Sequence, residues 1–317
     1  MCKALTYMKP IKLLFLFFLF CTCCITAQPP KKDLSQLALK GPVKELEIRT
    51  YVALDNFGKP SKGDRVNDNS SYIFNTSGNQ LEQNIYNKNG SLRIRCAYQY
   101  NSNGKLQEQN QYVPGGALKA KFTYKYNSQG VLNEQNMLKP DGSLISKYTY
   151  VYNDKMNQVA YNYYNASGEL DERAIFKYDA NGNQTEWSTY SATDGAAEAK
   201  VTYGYDEKGN VLEEKIFSAK DSLDKKTVYS YDAKGNKTGM MLYDAEGNLL
   251  KRNSYSYDAQ NNLAGDDWLD KDGNPLEQFT YKYDYDKQLN WTRKITLRNG
   301  VPVLITEREF VYFSGKK

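Results

Sequence analysis

Along most of the chain, apolar and polar residues alternate with a period of two. Before Tyr126, the residues Phe122, Tyr124 and Tyr126 fall on one side of an extended strand, and Lys121, Thr123 and Lys125 fall on the other. The stretch before Tyr152 repeats the pattern, with Tyr148, Tyr150 and Tyr152 set against Lys147, Thr149 and Val151. Successive side chains of a strand point to opposite faces, so this predicts sheets with one aromatic and one mostly polar face. Beyond the first 27 residues no segment sustains an i, i+3, i+4 stripe. The chain reads as all-β.

The alternation is punctuated at a fixed interval. Aromatic-x-aromatic pairs end at Phe74, Tyr100, Tyr126, Tyr152, Tyr178, Tyr205, Tyr231, Tyr257, Tyr283 and Tyr312, in steps of 26 or 27 residues and a last step of 29. A period of this kind marks a repeat protein whose units bury their apolar faces against neighbours. Six of the ten pairs precede a turn that opens with Asn or Asp and closes with Gly, as at Gly104, Gly130, Gly182, Gly209 and Gly235. A short side-chain oxygen can bond the backbone two residues on, and the closing position requires positive φ. A second turn falls at each half-repeat, so turns come about every 13 residues and join short antiparallel strands.

Ten such units imply about 20 strands, which laid flat would reach roughly 90 Å. Open sheets of that size curl or split. The expected architecture is an array of about ten antiparallel β-hairpin repeats in one long, twisted and curled sheet, a spiral, trough or partial shell. Tyr100, Tyr126, Tyr152, Tyr178, Tyr205, Tyr231, Tyr257 and Tyr283 are read as its structural aromatics.

Residues 1–27 stand apart. Lys3, Lys9 and Lys12 precede an unbroken apolar run over residues 13–20, and Ile25, Thr26 and Ala27 lead to Gln28. This reads as a secretory signal peptide, too short in its apolar part for an ordinary membrane-spanning helix. The protein is therefore expected in the periplasm or outside the cell. Lipoprotein anchoring at Cys21, Cys23 or Cys24 is the weaker alternative, because Phe20, Thr22 and Cys23 precede them where small residues are wanted. Residues 28–40 read as a polar spacer. Residues 41–317 read as a single repeat domain, regular over about 71–285, with an irregular cap at 286–317. In that cap the alternating charges of Glu307, Arg308 and Glu309, which follow Thr306, would discourage edge pairing.

Four of the five cysteines lie in the leader, so Cys96 is alone in the mature chain and reads as a small buried hydrophobe. The leader also carries three lysines and no acids, which lowers the formal charge from +5 to about +2. Neither nucleic acid nor an integral membrane segment is expected.

The units at residues 203–210, 229–236 and 255–262 (YGYDEKGN, YSYDAKGN and YSYDAQNN) resemble the YD repeats of Rhs-type proteins. The half-repeats at 86–92 and 164–170 are similar to MORN-like hairpins. The resemblance implies strands wound into a hollow shell around a toxin. These units are longer than the usual Rhs-type ones and carry Gly-Asn where Gly-Arg is common.

The chain has no histidine, which removes the commonest general base and metal ligand. No catalytic residue, metal site or cofactor is expected. Glu82, Glu108, Glu134, Glu186 and Glu213 each follow a turn glycine by four residues and read as a solvated or lysine-paired column. Asp270, Asp272 and Asn274 read as an ordinary turn rather than a calcium loop. Trp187, Trp268 and Trp291 lie on second strands, off the aromatic pattern, and are the candidate binding residues. Two functions compete. The first is a non-catalytic binding or scaffolding module for a glycan or protein at the envelope. The second is a component of an Rhs-like toxin-delivery or toxin-neutralising system, implied by the resemblance alone.

Overall fold

The computed structural model describes Leu34 and residues 37–314, except Phe57, Asn67 and Asp68. The predicted signal peptide and its cysteines lie outside the described residues. All 21 strands join one antiparallel sheet. They are β1 (Val43–Asn56), β2 (Lys59–Arg65), β3 (Asn69–Phe74), β4 (Gln80–Tyr86), β5 (Leu92–Tyr100), β6 (Leu106–Tyr112) and β7 (Leu118–Tyr126). There follow β8 (Leu132–Leu138), β9 (Leu144–Tyr152), β10 (Gln158–Tyr164), β11 (Leu170–Tyr178), β12 (Gln184–Ser191), β13 (Ala197–Tyr205) and β14 (Val211–Phe217). The last are β15 (Leu223–Tyr231), β16 (Lys237–Asp244), β17 (Leu249–Tyr257), β18 (Leu263–Leu269), β19 (Pro275–Tyr285), β20 (Trp291–Arg298) and β21 (Val301–Tyr312).

From β3 to β21 each strand pairs with the next, as the repeat predicts. The expected open spiral, trough or partial shell is nevertheless corrected, because the sheet closes. β1, which lacks the aromatic-x-aromatic pair, lies between the two ends of the array. One edge of it pairs with β21 from Val43 to Val52, and the other pairs with β3 from Glu45 to Ile48. The result is a closed barrel of 20 strands with β2 as one extra strand, continuing along the β3 side of β1. Closure leaves neither end of a twenty-strand array with a row of unpaired backbone groups. The charged stretch of β21 is thus no edge guard. It is a paired strand that puts Arg308 on one face and Glu307 and Glu309 on the other.

The turns follow the expected chemistry. In the β5–β6 connection, Gly104 N–H donates to Asn101 O and Asn101 N–H to Lys105 O, while Asn101 Oδ1 accepts from Asn103 and Lys105 N–H. Gly104 has φ +72°, the left-handed conformation that glycine adopts without strain. A register shift next to the turn, between Gln99 and Tyr100, records the accompanying bulge.

Tyrosine then ties strand to strand. The hydroxyls of Tyr100, Tyr126, Tyr152 and Tyr178 donate to the carbonyls of Gln80, Leu106, Leu132 and Gln158, all at 2.7 Å. Tyr205, Tyr231, Tyr257 and Tyr283 do the same to Gln184, Val211, Lys237 and Leu263 at 2.5–2.9 Å. Each acceptor opens the preceding even-numbered strand, so each clasp bridges successive hairpins near one rim.

At the seam Leu39, Val43, Leu46 and Phe74 form a buried cluster, with Leu34, Leu37, Ile48, Tyr72, Phe310 and Tyr312 packed on it. The segment read as a polar spacer therefore supplies three leucines to the closure. It is pinned from both sides, since Leu34 N–H donates to Gly78 O and Lys40 N–H to Asn290 Oδ1.

Candidate functional site

Residues directly opposite one another on paired strands share a face. Tyr98 opposes Gln109, Tyr124 opposes Gln135, Tyr150 opposes Tyr161 and Phe176 opposes Trp187, so the even-numbered strands add their own residues to the aromatic face. The small residues beneath the rings are buried: Ala174 is 0% exposed, Ala120 2% and Cys96 5%. Cys96 is thus the small buried side chain its phase implied.

The two faces differ in the groups they carry and in how deeply those groups are set. On the aromatic face, burial pushes the hydroxyls of Tyr148, Tyr152, Tyr229 and Tyr283 up to about 12. It raises those of Tyr124, Tyr150, Tyr161 and Tyr203 further. On the opposite face runs the glutamate column, ion-paired as Arg95–Glu82, Lys121–Glu108, Lys125–Glu134, Lys177–Glu186 and Lys226–Glu213. There the lysine hydrogen bond holds the Glu134 carboxyl below its usual range, and the Lys125 side chain is 66% exposed. A single-layer sheet has no second layer to cover it. In a closed barrel the inward face has more protein around its side chains, and the tyrosines are set deeper than the glutamates, so the aromatic face is assigned to the lumen and the glutamate column to the outer wall.

Ring pairs join residues of the same or neighbouring strands, such as Tyr148–Tyr163 at 5.0 Å and Tyr161–Phe176 at 6.0 Å. The rings therefore line the wall. Polar groups lie between them: Tyr98 Oη donates to Gln83 Oε1, Tyr124 Oη to Gln109 Oε1 and Tyr150 Oη to Gln135 Oε1, at 3.2–3.3 Å. Lysine interrupts the band at Lys237, 3.9 Å from the Tyr229 ring centroid.

All three candidate tryptophans are on this lumenal face. Trp187 sits between Phe176 and Val201. Trp268, 38% exposed, sits between Asn253 and Glu277, with its ring 5.7 Å from that of Phe279 and Lys251 Nζ 4.5 Å from its centroid. Trp291 packs on Tyr283 at 6.0 Å and carries the Arg308 guanidinium over its ring. They share a wall but do not meet as one cluster. Sequence reasoning missed the glutamines, although Gln83, Gln109, Gln135, Tyr161 and Trp187 recur at 26-residue steps and mark one lumenal column. Asp270 is an ordinary turn residue, accepting from the N–H groups of Asp272 and Asn274.

The burial of these hydroxyls gives an alkaline prediction. A tyrosine whose folded value rises from 10 to about 12 favours the folded state below pH 10, and that contribution is lost as pH climbs through 12. Tyrosinate absorbance should therefore lag the free-tyrosine curve and then rise together with loss of the β-sheet circular dichroism signal. Ionisation at the free-tyrosine value with the sheet intact would show a wet aromatic face.

No family model matches the chain, and no curated protein matches it. Among solved structures, it is similar to a porin-like protein from Bacteroides uniformis at 13% identity, with a TM-score of 0.34, over 86% of this chain and 98% of that one. It is also similar to the TcdB2-TccC3-Cdc42 structure at 14% identity, with a TM-score of 0.27, over 77% of this chain. A TcdB2-TccC3 structure without its hypervariable C-terminal region gives 12% identity and a TM-score of 0.34 over 86%. The chain spans 16% and 18% of these two TcdB2-TccC3 chains. Likenesses this distant decide neither fold nor activity. No described helix is long and apolar enough to cross a membrane.

Proposed function

We propose that the protein is an exported, non-catalytic binding or scaffolding module of the cell envelope or exterior, with a glycan chain as the ligand of its aromatic lumen. One observation carries this reading: a band of inward rings interleaved with hydrogen-bonding amides and hydroxyls. Sugar rings present apolar faces edged by hydroxyls, so they need stacking surfaces and polar partners at close intervals. The tyrosine–glutamine rows provide both. Export rests on the basic and apolar leader, and the absence of catalysis rests on the missing histidine and the repetitive carboxylates.

Tryptophan fluorescence titrated with soluble envelope oligosaccharides tests the proposal. Trp187→Ala, Trp268→Ala and Trp291→Ala should each weaken binding by about two- to tenfold, the range of a lost aromatic contact. Unchanged affinity in all three variants would place the ligand elsewhere.

A further inference from the structure

Near the seam, two cations on the lumenal wall have no carboxylate partner among the described residues. Arg308 lies opposite Ile48, and its guanidinium stacks 3.7 Å from the Trp291 ring centroid. Lys294 lies opposite Tyr283 on one side and Thr306 on the other, with its ammonium 5.7 Å from the centroids of Tyr281 and Trp291. Arg308 Nε is buried without a hydrogen-bond partner. The acids next to it in sequence are on the outer wall, where Glu309 pairs with Arg49 and Glu307 with Lys62. Asp258 and Asp286, in the turns at this rim, are taken by the hydroxyls of Tyr285 and Tyr312.

The neighbouring lumenal cations are answered in other ways. Arg298 pairs with Glu277, and Lys251 lies on the Trp268 ring. Lys237 is opposed by the charge of Glu214. Burial lowers Arg308 to about 10, and burial together with the Arg308 charge lowers Lys294. Two like charges drawn partly out of water, with a buried donor left over, are unfavourable unless an anion joins them. A guanidinium fork with an adjacent ammonium matches an oxyanion, above all a planar carboxylate.

We propose that Arg308 and Lys294 form an anion-binding site on the lumenal wall, with Trp291 as the plate that orients the guanidinium. Its occupant, on the glycan reading above, is the carboxylate of an acidic sugar residue. The identity of that occupant rests on that reading, whereas the anion site itself does not.

Calorimetric titration with oligogalacturonate and with its neutral methyl ester separates the two claims. The acid should bind about tenfold or more tighter than the ester. Arg308→Gln and Lys294→Gln should each remove about that factor for the acid and leave the ester unchanged. In parallel, the gain in Tm on replacing chloride with sulfate at equal ionic strength should be larger for the wild type than for the double variant. Equal affinities for acid and ester would overturn the anion site while leaving the glycan reading standing. No binding of either sugar, with a sulfate effect that still depends on Arg308 and Lys294, would uphold the anion site and sink the glycan reading. No sugar binding and an identical sulfate effect in both proteins would overturn the site.

Discussion

Ile48→Pro is expected to leave no folded barrel. Ile48 lies at the middle of β1 and opposes Ser70 of β3 on one side and Arg308 of β21 on the other. Proline lacks the N–H that one of these ladders needs, and proline is confined to edges and bulges for that reason. The local cost is about 3 kcal/mol or more, but the larger effect is topological. When β1 detaches, the array regains two free edges, and the cluster of Val43, Leu46 and Phe74 loses its cover. Net stabilities of folded proteins are only about 5–15 kcal/mol. Circular dichroism on denaturant titration should show a lost or non-cooperative transition. Leu54→Pro, in the β1–β2 hairpin outside the closed ring, should retain a cooperative one. If Ile48→Pro melted like the wild type, the barrel would not depend on β1.

Replacing the eight clasping tyrosines by phenylalanine should be nearly as damaging, although every ring stays in place. Each change removes one hydroxyl and leaves one carbonyl at the opening of a strand without its donor, at about 1 kcal/mol. The eight sites recur at 26- or 27-residue steps and touch different carbonyls, so their effects should add. The total of about 8 kcal/mol is of the order of the whole stability of a typical fold. Tyr152→Phe alone should shift the denaturant midpoint by the equivalent of about 1 kcal/mol. An eightfold variant within about 1 kcal/mol of the wild type would mean that water satisfies these carbonyls as well as tyrosine does.

The strands, the turns and the recurrence of the tyrosines were legible because they are local and periodic, whereas the clasps their hydroxyls make were not. Each turn glycine and each Tyr-x-Tyr pair needs only its own hairpin and the next one. Closure was not legible. The pairing of Leu46 with Phe310 joins residues far apart in sequence, and β1 carries none of the repeat's marks. Alternation alone offers no reason to prefer a ring to a spiral. The charged β21 invited an edge-strand reading, although Arg308 is in phase with Phe310 and Tyr312 and so had to face the same way as the aromatics. The three tryptophans were found as departures from a polar rule. That they face inward follows from their opposition to Phe176, Asn253 and Tyr285 across the ladder, which requires the register. The leucines of the spacer were hidden by the prolines and lysines before them.

Closure itself is best tested by a single distance. Ser71 and Glu309 both oppose Glu47, from its two sides. Spin labels on Ser71→Cys and Glu309→Cys, in a protein of residues 28–317 carrying Cys96→Ala, should therefore be separated by about two strand spacings, roughly 10 Å at the backbone. In an open array the same two positions sit near opposite ends, and a separation of several tens of ångströms, up to roughly 90 Å, would contradict the barrel.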